Sequence, residues 1–419
     1  MASSWIHNAS GAAVAAAATE FFPLVGHGFG QTTEALAQIL VRDTYTGSNL
    51  YTIVSANTND GTTTIRTRKN ASDGAQSVSY AASETGAKED TVNTDAMATG
   101  ENWDYSVNPA GTMNTCTVAN LSVVLQHSGT GTFIMASSAG TTLAQAQNVL
   151  NYASLTGSLE TNATEANAQY TLRTDGTLRN LRVYVSANSI AAGTVARTRV
   201  NGGNGAQSVS ITASTTGSFE DVTNSDTVTG ANAGEWNCLI DSTSAKNGTL
   251  TTTTIQCECS SIRCPQIWSR VGGLTVVVDT YQRFEGGQTG STVESNMNLK
   301  ARVALAISNM FTYVSANTTT VCNVYFRKNG ANAGPTVNYG SGVTGIKEDT
   351  VNTTTVAATD LINYFTDLTS GASITFTIIG VESQQGASGI TVTASGAGAL
   401  SLAAAAPGLR VQTEIAGIV

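Results

Sequence analysis

Apolar and polar residues alternate one for one along much of this chain, in short runs separated by glycine- and asparagine-rich turns. Ala168-Gln169-Tyr170-Thr171-Leu172, Gln76-Ser77-Val78-Ser79-Tyr80 and Gln207-Ser208-Val209-Ser210-Ile211 all show it. A period of two puts one side of a strand against a core and the other in solvent, so these runs predict half-buried β-strands. Asn201-Gly202 and Asn329-Gly330 each follow such a run, which is a strong hairpin signal. Glycine is abundant and Lys and Glu are sparse, so long helices are not expected.

The runs recur in register. Ile53-Val54-Ser55-Ala56-Asn57, Tyr184-Val185-Ser186-Ala187-Asn188 and Tyr313-Val314-Ser315-Ala316-Asn317 each close a strand pattern. Glu34, Glu165 and Glu294 lie 23 residues before Asn57, Asn188 and Asn317, and Arg68, Arg199 and Arg327 follow 11, 11 and 10 residues after. Glu89, Glu220 and Glu348 then stand 21 residues beyond each Arg. Spacing held this closely means one domain used three times. The units are expected at 1–136, 137–267 and 268–419, each with about eight strands, which is the signature of antiparallel jelly-roll sandwiches. The fold class is all-β, and both a pseudo-threefold cluster and a row of beads remain open.

Composition narrows the functional classes. Only 12% of residues are charged, with a net charge of −9 and no basic run, so a direct nucleic-acid interface is not expected. No stretch of 18 strongly apolar residues marks a membrane span. The alanine-rich start has no Lys or Arg before it and does not read as an export signal. The six cysteines ignore the repeat, and Cys257, Cys259 and Cys264 lack a nearby histidine as fourth zinc ligand. They read as buried thiols, with one disulfide open.

The order of Asn-Gly hairpin, Thr-Gly turn and closing apolar strand resembles the compact jelly rolls of the C1q and tumour-necrosis-factor type. Val-Ser-Ala-Asn, Arg-Lys-Asn-Gly and Glu-Asp-Thr-x-Asn also resemble repeats in structural proteins of tailed bacteriophages. The resemblance covers most of each repeat. Repeat two departs from it at Val200, where the others carry Lys, and at Cys238, where they carry Tyr105 and Tyr364. It implies a role on a virion surface and brings no catalytic residues with it.

The candidate ligand positions are the acidic pairs Glu89/Asp90, Glu220/Asp221 and Glu348/Asp349, with Asn93, Asn224 and Asn352. Grouped hard oxygens suit calcium, which takes six to eight of them. The competing expectation, which is favoured, is that each Glu pairs with the Arg of its own repeat or caps a turn. Histidine occurs only at His7, His27 and His127, all in repeat one, so a repeated Ser-His-Asp arrangement fails. The run Gly26-His27-Gly28-Phe29-Gly30 opens no helix and does not suggest nucleotide binding. Trp103 and Trp236 read as core, whereas Trp5 and Trp268 near the unit boundaries hint at an interface.

These readings favour a non-enzymatic virion protein without a cofactor: a capsid decoration, head fibre or tail-associated protein, assembled in the host cytoplasm and displayed on the particle. Its partners would be copies of itself or other virion proteins. The alternatives are a subunit of an extracellular filament or surface layer, and an adhesin for cell-surface glycan. Four linker-like segments serve three units, so a terminal copy, within 397–419, is expected to dock on a neighbouring subunit.

Overall fold

The repeat becomes three sandwiches, each built on eight main strands among the described residues, with shorter strands beside them. The structure, a computed structural model, describes residues 3–10, 13–15, 18–27, 30–111, 115–127, 132–146, 148–230, 234–243, 247–286, 290–368, 372–385, 393–395 and 399–401. Unit 1 contains β1 (Ser3–Ser10), β2 (Glu20–Pro23), β3 (Tyr45–Asn57), β4 (Thr63–Lys69), β5 (Ser72–Tyr80), β6 (Gly86–Met97), β7 (Asn102–Pro109) and β8 (Thr115–His127). Unit 2 contains β9 (Thr132–Ala146), β10 (Leu150–Ala153), β11 (Gly176–Asn188), β12 (Thr194–Val200), β13 (Gly203–Ile211), β14 (Gly217–Val228), β15 (Gly234–Asp241) and β16 (Thr249–Ser261). Unit 3 contains β17 (Cys264–Val276), β18 (Thr280–Gln282), β19 (Leu305–Asn317), β20 (Val321–Lys328), β21 (Ala331–Gly340), β22 (Gly345–Asp349), β23 (Leu361–Leu368) and β24 (Ile374–Gln385).

In unit 1 the sheets run β1-β8-β3-β6 and β2-β7-β4-β5, and units 2 and 3 repeat both orders. Strands adjacent in the chain fall in opposite sheets except at the β4–β5 hairpin, which is jelly-roll topology. The hairpin forms where the sequence places it. Asn201 and Gly202 have φ of 51° and 72°, and Asn329 and Gly330 have 51° and 79°, the two positive values that a tight primed turn needs. Ala71 takes the glycine's place in unit 1 at φ 61°.

The first strands of units 2 and 3 join them to their neighbours. On β9, Phe133 and Met135 enter the core of unit 2, while Ile134 and Ala136 enter that of unit 1. Alternation along one strand therefore serves two cores. The boundaries expected at 136/137 and 267/268 fall inside β9 and β17. Trp268, expected to face a partner, is 1% exposed and packs with Val124 of unit 1 in the core of unit 3. Trp103 and Trp236 are core residues.

Gly26, Gly157 and Gly286, eight residues before the repeated Glu, bring the three units together. Each runs parallel to the first strand of its own unit. Gly157–Ser158 also pairs with Arg270 of β17, so units 2 and 3 share a ten-stranded sheet. A Cβ on Gly157, at φ 91°, would lie 2.6 Å from Ser269 Oγ, and one on Gly286 would lie 3.3 Å from Gly26 O. Only glycine allows so close an approach at that φ.

Of the four linker-like segments, 139–144 lies within β9 and 272–277 overlaps the end of β17. In 10–15 only Ser10 belongs to β1, Ala13–Ala15 pair with β8, and the two residues between lie outside the described residues. In the fourth, at 396–406, residues 399–401 pair with 393–395 just ahead of it, and the rest of 397–419 lies outside the described residues.

Candidate functional site at the junctions between units

The repeated Arg and the upstream Glu clamp each unit internally. Arg68 donates from Nε and Nη2 to Glu34 at 2.9 and 3.1 Å, Arg199 to Glu165 at 2.8 and 2.9 Å, and Arg327 to Glu294 at 2.8 and 3.1 Å. Each Glu opens a short 3-10 turn. Each guanidinium also lies over an aromatic ring of the leader segment, Phe21, Tyr152 or Tyr281, at 5.5–5.8 Å. A planar fork that meets two oxygens and a ring at once ties three segments together. Hydrogen bonding to the Glu raises the Arg68 and Arg199 pKa further above ordinary values.

The Asn that ends each Val-Ser-Ala-Asn run is a clip. Asn57 Nδ2 donates to Ala81 O and Glu84 O at 3.1 and 2.9 Å, Asn317 Nδ2 to Gly340 O and Val343 O at 2.9 Å, and Asn188 Nδ2 to Thr212 O at 3.0 Å.

The candidate ligand residues separate into two roles. Asp90 accepts from Val92 N, Asn93 N, Ser77 N and Asn93 Nδ2 at 2.8–3.1 Å. Asp221 takes the same four kinds of donor with Asn224, and Asp349 with Asn352. Burial alone would raise these carboxyls, but the N–H donors outweigh it, bringing Asp221 down to about 2. They cap a bulge in β6 and β14 and the end of β22. Among the described residues no group of three or more His, Cys, Asp and Glu is placed to hold a metal ion.

Glu89, Glu220 and Glu348 do not pair with the repeated Arg of their own unit, contrary to expectation, because Glu34, Glu165 and Glu294 already occupy it. They reach into the neighbouring unit instead. Arg42 of unit 1 pairs with Glu220 of unit 2, Arg173 of unit 2 with Glu348 of unit 3, and Arg302 of unit 3 with Glu89 of unit 1. The three units therefore close on one another in a ring. Sequence reading passed over Arg42, Arg173 and Arg302, although their spacings of 131 and 129 residues match those of Glu34, Glu165 and Glu294.

Two fully buried glutamates reinforce two of the junctions. Glu258 accepts from Arg42 N at 3.0 Å and Asn180 Nδ2 at 2.7 Å. Glu382 accepts from Arg173 N, from Thr174 Oγ1 at 2.7 Å and from Asn309 Nδ2 at 2.6 Å. Gln256 adds a two-way bond to Leu40, accepting at 3.1 Å and donating at 2.6 Å. At the third junction, between units 3 and 1, Val124 stands where β16 and β24 carry Glu258 and Glu382, and Asn120 Nδ2 donates to Asn298 O at 3.1 Å.

All six cysteines are free and buried, and burial pushes the Cys238 thiol up to about 12. A thiol held protonated in this way is a packing group. His127 Nε2 lies 2.9 Å from Asp43, beside the Tyr45 ring. No helix among the described residues is long and apolar enough to cross a membrane.

Neither a family model nor a curated protein sequence matches the chain. Among solved structures, a triple-jelly-roll protein from the turret of an archaeal virus aligns over 90% of both chains at 13% identity. Its TM-score is 0.18, too low for the two to superpose as whole chains.

Proposed function

We propose that the chain is a non-enzymatic structural protein of a virus particle: a decoration, head-fibre or tail-associated block on a tailed phage. The observation that supports this is the closed ring: three jelly rolls joined through three junctions with an ion pair at matched positions, Arg42–Glu220, Arg173–Glu348 and Arg302–Glu89. A head-to-tail interface that closes after three units gives threefold shape. One chain with that shape can sit on a threefold position of a lattice without prior assembly. The charged side chains repeated in every unit are committed to holding the block together, and the sequence resemblance to phage structural repeats points the same way.

Peptide mass spectrometry across a density gradient of the source material tests the reading. The expected result is co-banding with DNA-filled particles, in fixed ratio to a major capsid protein. Recovery in a DNA-free sedimentable filament fraction would overturn it in favour of an appendage subunit.

A further inference from the structure

We propose that the junction between unit 3 and unit 1 is a binding site for an acidic saccharide. It differs from the other two junctions at matched positions, and strand register makes the match. Ile53 faces Ala87 across β3 and β6, where Tyr184 faces Ser218 and Tyr313 faces Ile346 in the other units. On the opposite wall Leu361 pairs with Lys300, where Asn102 pairs with Leu40 and Glu235 with Thr171. At one wall position isoleucine thus stands where each of the other two units carries a tyrosine, and at the other an apolar residue replaces a polar one.

The space left behind is a groove of two adjoining cavities, about 330 and 410 Å³, that share Tyr51, Ala87 and Leu361. That is the size range of small-molecule sites. Ile53, Val54 and Leu361 give the inner cavity an apolar floor, and Ser55, Thr85 and Asn296 give it a rim of neutral hydroxyl and amide groups. A sugar ring presents the complementary surface: C–H patches on its face and hydroxyls around its edge.

Charge decides which sugar. Lys300 and Arg302 both answer to Glu89, and Arg302 also lies over the Tyr51 ring at 5.7 Å. Lys88, in the outer cavity, is paired with Glu84. The junction lacks the buried glutamate, since Val124 occupies its place, so among the described residues Lys300, Arg302 and Lys88 answer to Glu89 and Glu84 alone in their ion pairs. Between units 2 and 3 the balance is reversed: Arg173 and Lys347, the counterpart of Lys88, stand against Glu348, Glu382 and Glu235, the counterpart of Leu361. A carboxylate on the sugar would supply the missing negative charge. The proposal is independent of whether the chain belongs to a particle.

The test is saturation-transfer NMR on the full chain with glucuronic acid, and with glucose as the neutral match. Glucuronic acid is expected to bind, up to about fivefold more tightly than glucose, the worth of one exposed charge pair. Ile53→Tyr, which installs the residue of the other two units, is expected to abolish transfer to both sugars. Leu361→Asn, which installs the counterpart Asn102 and removes the apolar floor from the other wall, is expected to weaken binding of both sugars should the tyrosine variant fail to fold. Lys300→Thr is expected to retain glucose binding and remove the preference for the acid. No transfer to glucuronic acid in the parent chain, or transfer unchanged by a folded groove variant, would overturn the proposal.

Discussion

Asp104 is the residue whose surroundings fit it least. It is fully buried and, among the described residues, neither carboxyl oxygen accepts a hydrogen bond. Its equivalents in β15 and β23 are the amides Asn237 and Asn363, and Asn363 donates to Glu294 and Asn298 at 3.2 and 2.6 Å. Burial, and then the negative charge of Glu34, push the Asp104 carboxyl up to about 8. The folded chain keeps the proton that the unfolded chain releases near 3.8. Its contribution is therefore undiminished below pH 4 and is lost as pH rises towards 8. Asp104→Asn should raise the melting temperature at pH 9, by an amount reflecting a few kcal/mol, and change it little at pH 4. Equal shifts at both pH values in thermal unfolding would refute this account.

At the scale of the element, strands β6, β14 and β22 show how a sheet edge is shaped by one side chain. Asp90, Asp221 and Asp349 each gather donors from the backbone two and three residues on, and these turns leave Val92 and Val351 more than four-fifths exposed. Bulging the strand there interrupts the regular row of edge donors that another sheet would pair with. Asp221→Ala leaves backbone N–H groups without their acceptor and is expected to cost about 1–3 kcal/mol in chemical denaturation. Because that carboxylate is filled by N–H donors, adding calcium is expected not to change the unfolding midpoint of the parent chain. A calcium-dependent rise that disappears in Asp221→Ala would show instead that the loop binds the ion.

For the whole molecule, the junctions make three sandwiches into one body. Cores that borrow Ile134 and Ala136 from the next unit, and Ile267 and Phe311 from the one after, cannot be cut apart without exposing apolar surface. The ion pairs add orientation. Arg173→Glu sets like charges together beside the buried Glu382 at a partly exposed site and is expected to destabilise by about 1–2 kcal/mol. Adding Glu348→Arg should recover part of that loss, since the pair is restored in reverse while Glu382 still faces the new glutamate. A double-mutant cycle with no coupling would mean that the Arg173–Glu348 contact contributes nothing to the junction.

The local architecture was legible in the residues alone: strands from a period of two, hairpins from Asn-Gly, and three units from spacing. These follow from interactions between residues close in the chain, or from one pattern written three times. It also marked the residues that matter, Glu34, Arg68, Asn57, Glu89, Asp90 and their equivalents, without saying what each would touch. That Glu34 takes Arg68, that Asp90 folds back on its own turn, and that Glu220 is left for Arg42 came from the folded arrangement. The partners of these junction pairs lie 178 and 175 residues apart in the chain. Periodicity reports which face of a strand is buried, but not which surface covers it. Choosing between a row and a ring depended on three glycines whose bare backbones let the units approach, and that closeness exists only once all three are folded.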